Sequence, residues 1–320
     1  METINNPSPE EGSGIIYPPK PIVAENKGNN LTRSLISLFI YAFLFYVIFD
    51  QNIAYIAAVL LALLVHEFGH FFAMKLYNYQ NVKLFIVPLL GAFVSGKKST
   101  VSQKQMSVIV LAGPLPGLFI GFALYFLNKS MQNDSIKMLA NVFIFLNLFN
   151  LLPIYPLDGG RFLENLFLKN NYGIRLVFTI ISVLLLVSII LLTGSFLMLI
   201  IPAMMVYELI NENRNQKIRE FLDQERIAYR CEYADLPDKS YWVIRDAVLF
   251  SYQKKFAGVP PGLYRYSELE PILVQQISAI LKPDFKTDLS AFGKIAFILL
   301  YIFSLIGLPL LSYILFFLEA

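Results

Sequence analysis

Both histidines of the chain fall in one short stretch, Leu64-Val65-His66-Glu67-Phe68-Gly69-His70. On a helix, residues i and i+4 share a face, so the imidazoles of His66 and His70 can converge on one ion. Glu67 lies about 100° further round the same helix. It can reach a metal-bound water without itself becoming a ligand. Two imidazole ligands and a carboxylate base are the parts that zinc-dependent hydrolysis of a peptide bond requires. The bland alternative is a set of polar residues that merely hydrogen-bond between helices. It is the weaker reading, because it buries Glu67 with no evident partner.

The setting strengthens the metal reading. Of the 320 residues, 56% are hydrophobic and only 15% charged, against about 25% charged in ordinary soluble domains. No Asp, Glu, Lys or Arg occurs in 34–49, 105–128, 138–157, 176–207 or 295–318. A membrane-crossing helix needs about 20 apolar residues, so these runs predict a multi-pass helical membrane protein. They exclude a soluble enzyme, a disordered chain and a nucleic-acid-binding domain. A barrel is also excluded, since its strands are about 10 residues long and alternate in polarity. An ionisable residue inside such a helix is expensive, which makes a functional role its default reading.

A third ligand cannot be another histidine, so it must be a carboxylate or Cys231, the single cysteine. The acids near membrane spans are Asp50, Asp158, Glu208 and Glu319. Asp50 begins the same helix as the motif, several turns away, and cannot fold back onto it. Asp158 ends the stretch Asn150-Leu151-Leu152-Pro153-Ile154-Tyr155-Pro156-Leu157-Asp158-Gly159-Gly160. There two prolines break helical hydrogen bonding and two glycines permit a sharp backbone. Asp158 is preferred to Glu208 for this broken helix and for its expected placement on the same side as His66 and His70.

The elements that must position these residues are predicted at 34–49, 52–77, 105–127, 136–154, 176–207 and 293–317. The 176–207 run is too long for one perpendicular helix; Thr193-Gly194-Ser195 could turn it into a hairpin, or Pro202 could kink a single tilted one. The expected fold is an all-α polytopic membrane protein with six or seven transmembrane helices. Residues 1–32 read as a disordered tail, 33–209 as the membrane core, 210–290 as a small extramembrane α+β domain and 291–320 as a last membrane helix. No cleavable signal peptide is evident, and the single cysteine excludes an intramolecular disulfide. Lysines and arginines dominate the loops 78–104 and 158–175, so both loops, and the N-terminus with them, are expected on the cytoplasmic side. The apolar, β-prone loop 82–96, interrupted by Pro88, Gly91 and Gly96, reads as a membrane-dipping β-hairpin whose edge can pair with an extended substrate.

His66-Glu67-Phe68-Gly69-His70, followed about 90 residues later by Asn150-x-x-Pro153-x-x-Pro156-Leu157-Asp158-Gly159, resembles the site-2 protease family of intramembrane zinc metalloproteases. The step Ala112-Gly113-Pro114 also resembles that family's core, and the likeness spans roughly residues 50–170. The resemblance implies one zinc per chain held by His66, His70 and Asp158, with Glu67 as general base. It implies that Asn150 lines the site and positions the peptide, and it supports Gly91 as a turn or close-approach position beside substrate. Implied partners are transmembrane protein substrates within the lipid bilayer, with no nucleic acid; the implied location is a cytoplasmic membrane. A transporter that relays protons through Glu67 and Asp158, or a non-catalytic scaffold, competes with this reading. Neither accounts for the His-Glu-x-x-His spacing together with an intact Glu67.

Overall fold

The computed structural model describes residues 17–22, 53–87, 91–168, 172–194 and 196–318. The expected helix at 34–49 lies outside them. Helix α1 (Ile53–Leu76) is followed by strands β1 (Gln80–Val87), β2 (Gly91–Lys97) and β3 (Thr100–Ser102). Next come α2 (Gln103–Ala112), α3 (Pro114–Met131), α4 (Asp134–Asn150) and the short α5 (Asp158–Leu163), which continues as a π-helical turn to Leu168. The remaining elements are α6 (Tyr172–Thr193), α7 (Ile200–Gln224), α8 (Asp238–Ser251), α9 (Glu270–Ile280), β4 (Asp284–Lys286), α10 (Ala291–Ile302) and α11 (Leu308–Leu318).

Four helical stretches among the described residues are long and apolar enough to cross a membrane: 53–76, 103–131, 173–192 and 291–312. With 17 residues, α4 is a little shorter than these. The 176–207 run is interrupted at Gly194, whose φ of +70° suits a residue without a Cβ. Pro202 does not kink the run. It sits in the first turn of α7, where its missing N–H costs no helical bond.

The chain divides into two compact units, one of residues 26–211 and 283–320, the other of 1–25 and 212–282. In the first, α1 and α4 pack through Ala58, Val59, Ala62, Val142 and Phe143, with Ile120 of α3 against them. A second cluster joins Val110, Leu118, Leu151 and Phe162 to Tyr301 of α10. Strands β1 and β2 pair antiparallel, with Val87 opposite Gly91 and Leu84 opposite Val94. Strand β3 pairs parallel with β4. Just beyond β4, Asp288 receives the Ser102 hydroxyl at 2.5 Å and the Lys104 N–H at 3.0 Å. A carboxylate thus satisfies the start of α2, where backbone N–H groups lack helical partners.

The second unit corrects the expected α+β domain at 210–290. Its described elements are helical, because Tyr241, Ile244, Val248 and Tyr252 recur at helical spacing and build its core with Leu222, Trp242, Leu273 and Ile277. The strand that falls within that range, β4, belongs to the other unit. Arg219 closes the end of α9 by donating to the carbonyls of Ile280 (2.9 Å) and Ala279 (3.1 Å). Deeper in, Arg245 grips Glu270 through Nε (2.9 Å) and Nη2 (3.2 Å), and the Tyr241 hydroxyl donates to the same carboxylate. Burial alone would raise the Glu270 carboxyl. The hydrogen bonds from Arg245, Tyr241 and the Ser267 backbone outweigh it and hold the group below its ordinary value of 4.5. Residues 17–22, assigned by composition to a disordered tail, are also part of this unit and lie bonded against it.

Candidate metal centre

Three side chains from two distant parts of the sequence meet inside the first unit. His66 Nε2 lies 2.9 Å from Asp158 Oδ2, His70 Nε2 lies 3.1 Å from the same oxygen, and the two Nε2 atoms are 3.2 Å apart. His66 and Asp158 are buried, at 3% and 6% exposure. The helical spacing of the histidines delivers their side of the cluster. Asp158 arrives because α4 ends at Asn150 and the proline-containing turn that follows restarts as α5 with Asp158 in its first turn.

That turn is braced from outside its own sequence. The Tyr301 hydroxyl donates to the Leu151 carbonyl at 2.6 Å, and the Tyr155 N–H donates to Ser182 Oγ at 3.0 Å. Both contacts satisfy backbone groups that the prolines leave outside a helix. Behind α5, Gln103 and Asn165 exchange amide-to-carbonyl bonds at 2.9 and 3.0 Å, fastening the π-helical turn to α2.

The far nitrogens of both imidazoles are already committed. His66 Nδ1 lies 2.8 Å from Asn147 Oδ1, and His70 Nδ1 lies 2.8 Å from the carbonyl oxygen of Ile109. The Asn147 orientation follows from its amide NH2, which donates to Phe143 O at 2.7 Å and leaves Oδ1 as the acceptor. Each oxygen accepts, so each Nδ1 carries the hydrogen. In the neutral rings both Nε2 lone pairs then point at Asp158 Oδ2. Three acceptors facing one another repel unless a cation lies between them. With zinc–nitrogen and zinc–oxygen distances of about 2.0–2.1 Å, tetrahedral ligand atoms stand about 3.3 Å apart. The observed 2.9–3.2 Å is close to that spacing. The donor set therefore fits a zinc-sized ion.

Glu67 is buried, at 5% exposure, next to His66 on α1 and within Coulombic reach of Asp158 and Arg161. Asn150 is not bonded to the trio in the described contacts; its amide donates to Leu146 O at 3.0 Å within its own helix. Gly91 opens β2, paired with Val87. Of the other candidate acids, Glu208 lies 3.4 Å from the Tyr155 hydroxyl, while Asp50 and Glu319 are outside the described residues. Cys231 belongs to the other unit.

Sequence reasoning missed Asn147, three residues before Asn150. Its signal was available, since a buried amide in an apolar helix needs a partner. It also missed why Gly113 and Gly117 are glycines. A Cβ on Gly113 would lie 2.3 Å from His70 Nε2, and one on Gly117 would lie 2.2 Å from Asn147 Nδ2. Their bare backbones leave room for the ring and for the amide that orients the other ring.

Residues 54–134 match the family model Peptidase family M50. The chain is 32% identical over 114 residues to Stage IV sporulation protein FB of Bacillus subtilis, covering 34% of this chain and 39% of that protein. It is 30% identical over 117 residues to Zinc metalloprotease MJ0392 of Methanocaldococcus jannaschii, covering 35% of this chain and 33% of that protein. The matched part thus spans well under half the length of either relative. Among solved structures, a site-2 protease from Methanocaldococcus jannaschii superposes with a TM-score of 0.41 at 21% identity, over 55% of this chain and 85% of that one. Over a segment that includes His66, Glu67 and His70, the chain is similar to Peptidase family M50.

Proposed function

We propose that this chain is an intramembrane zinc metalloendopeptidase that cuts peptide bonds in or near transmembrane segments of membrane-protein substrates. The observation that carries the reading is the meeting of His66 Nε2, His70 Nε2 and Asp158 Oδ2 with both Nδ1–H groups already committed elsewhere. These three side chains would hold one zinc and leave a fourth position open. Zinc held there would supply a Lewis acid that acidifies water to a pKa of about 7 and polarises a scissile carbonyl. Glu67 takes the proton of the attacking water and returns one to the leaving amine. Asn147 and the Ile109 carbonyl keep both rings in the tautomer that offers Nε2.

A substrate helix shields its own peptide bonds, so it must be unwound before it can be cut. In this reading the β1–β2 hairpin dips into the bilayer and offers a strand edge to the extended substrate, with Gly91 at a close-approach position. Asn150 helps to position the peptide. The basic loops support a site nearer the cytoplasmic face, and in this reading the enzyme works as a multi-pass protein of the cytoplasmic membrane. The domain reading follows suit, with a membrane core at 33–209, a last membrane helix within 291–320 and an extramembrane portion within 210–290.

Metal analysis of purified wild-type protein, the double variant His66→Ala/His70→Ala and Glu67→Gln tests this directly. About one zinc per chain is expected in the wild type and in Glu67→Gln, and none in the double variant. Comparative membrane proteomics should show substrates accumulating with Glu67→Gln, whose cleavage rate falls by about 10²- to 10⁴-fold. A wild-type protein that binds no zinc, or unimpaired proteolysis by Glu67→Gln, overturns the assignment.

A further inference from the structure

The segment Tyr17-Pro18-Pro19-Lys20-Pro21-Ile22 carries three prolines in six residues. Proline fixes φ near −65° and biases the residue before it towards extended backbone. Tyr17, Pro18 and Lys20 each precede a proline, so the stretch is stiff and close to polyproline II before it touches anything. Such a strand has few donors of its own. From Pro18 to Pro21 the sole backbone N–H belongs to Lys20, and it donates to Asp238 Oδ1 at 2.8 Å.

The carbonyls are read one by one by aromatic side chains of the same unit. Trp242 Nε1 donates to Pro18 O at 2.7 Å, the Tyr266 hydroxyl donates to Pro19 O, and the Tyr233 hydroxyl donates to Pro21 O at 2.8 Å. The rings form the walls. Trp242 and Tyr266 stack with centroids 5.9 Å apart and planes at 20°, while Tyr17 packs on Tyr264 at 4.9 Å. Lys20 is read in a way that suits an ammonium. Its Nζ has three hydrogens and faces three carbonyls, those of Tyr233 (2.8 Å), Ala234 (2.6 Å) and Leu236 (2.5 Å). Arg245 lies 5.1 Å from the Trp242 ring centroid and pairs with Glu270, which ties the groove wall to the buried ion pair.

We propose that Tyr233, Asp238, Trp242, Tyr264 and Tyr266 form a recognition groove for an extended proline-rich peptide with a lysine before its last proline, and that Tyr17–Ile22 is its resident ligand. The ligand class is set by chemistry: donors aimed at carbonyls of a strand that lacks N–H groups, and a carbonyl cradle for one ammonium. A partner peptide of the same pattern competes for the groove. While the chain's own segment is tethered, it holds the advantage of a high effective concentration.

Trp242 is the only tryptophan in the chain, so all tryptophan emission comes from the groove wall. The test uses the full-length protein in detergent and a synthetic peptide of residues 15–24. In a variant with Tyr17–Ile22 replaced by Gly and Ser, the emission should move to longer wavelength and return saturably as the peptide is added. A peptide carrying Lys20→Ala should bind at least about tenfold more weakly, since charge-assisted hydrogen bonds are lost. Wild-type protein should take up far less added peptide, because its groove is filled. Equal affinity for the two peptides, or no response from a variant that melts like wild type, overturns the proposal. A second measurement needs no variant: in wild-type protein, mild amine acetylation followed by mass spectrometry should modify exposed Lys254 well ahead of Lys20. Modification of both lysines at one rate overturns it equally.

Discussion

Two buried polar clusters lie in different units of this molecule, and they are finished in different ways. In the 212–282 unit, Glu270 receives Arg245, Tyr241 and Ser267, so donors meet acceptors and positive charge meets negative. The cluster is nearly closed; among the described residues, Arg245 Nη1 and Asp246 Oδ1 stand 4.0 Å apart and each lacks a hydrogen-bond partner. In the membrane unit, the groups that face one another are His66 Nε2, His70 Nε2 and Asp158 Oδ2, all acceptors, while every available donor points away to Asn147 or Ile109. A closed cluster holds a fold together. An open one, built of acceptors and kept rigid from behind, is a request for a cation.

That contrast can be broken by substitution. Arg245→Ala leaves a buried carboxylate without its cation, a loss worth about 3–5 kcal/mol in comparable pairs. Chemical denaturation followed through Trp242 emission should show this drop, while metal content per folded chain stays at the wild-type level. A variant that loses metal together with stability would erase the distinction between the clusters. Asn147→Ala is smaller and opposite in kind: it should weaken zinc retention by about 10- to 100-fold, measured by competition with a chelator. The Trp242-reported unfolding should not move.

The smallest effect is a pH response in the closed cluster. Glu270 is held below its ordinary value of 4.5 in the folded unit. Its contribution to stability is therefore full above that value and fades as the pH falls through the lower folded pKa. Unfolding midpoints followed through Trp242 should decline on acidification below about pH 4.5, and Glu270→Gln should flatten that decline. An equal slope in both proteins would remove Glu270 from the account.

The sequence was most legible where the bilayer forces a pattern. The helical span 52–77, expected from apolar run and motif, appears as α1 at 53–76, and the 105–127 run appears as the joined α2 and α3. The meeting of His66, His70 and Asp158 was legible because histidine is scarce and because prolines mark where a membrane helix must stop. Asn147 was overlooked, since an uncharged amide leaves no gap in a charge-free run and its signal is only the need of a buried amide for a partner. Gly117 was equally silent, and Gly113, noticed only within the step Ala112-Gly113-Pro114, did not disclose its role, because that role is an empty volume beside a neighbour supplied by another helix. The helical character of 212–282 was overlooked because that region was judged by polarity and turn residues, while its period-of-four apolar positions carried the information. Likewise Pro18, Pro19 and Pro21 read as disorder by composition. Their order comes from partners more than 200 residues away in sequence.

The Tyr301 hydroxyl on the Leu151 carbonyl sets a limit on dissection. The family match ends at residue 134, yet the turn that carries Asp158 is braced by a residue of α10, and α2 begins on the carboxylate of Asp288. A fragment cut at the end of the match would lose Asp158, and one cut just past Asp158 would keep His66, His70 and Asp158 but lose the scaffolding that aims the last of them. The smallest unit able to assemble the metal centre is therefore expected to be discontinuous in sequence: a split protein that supplies residues 283–318 on a separate chain should regain metal binding, and one that omits them should not.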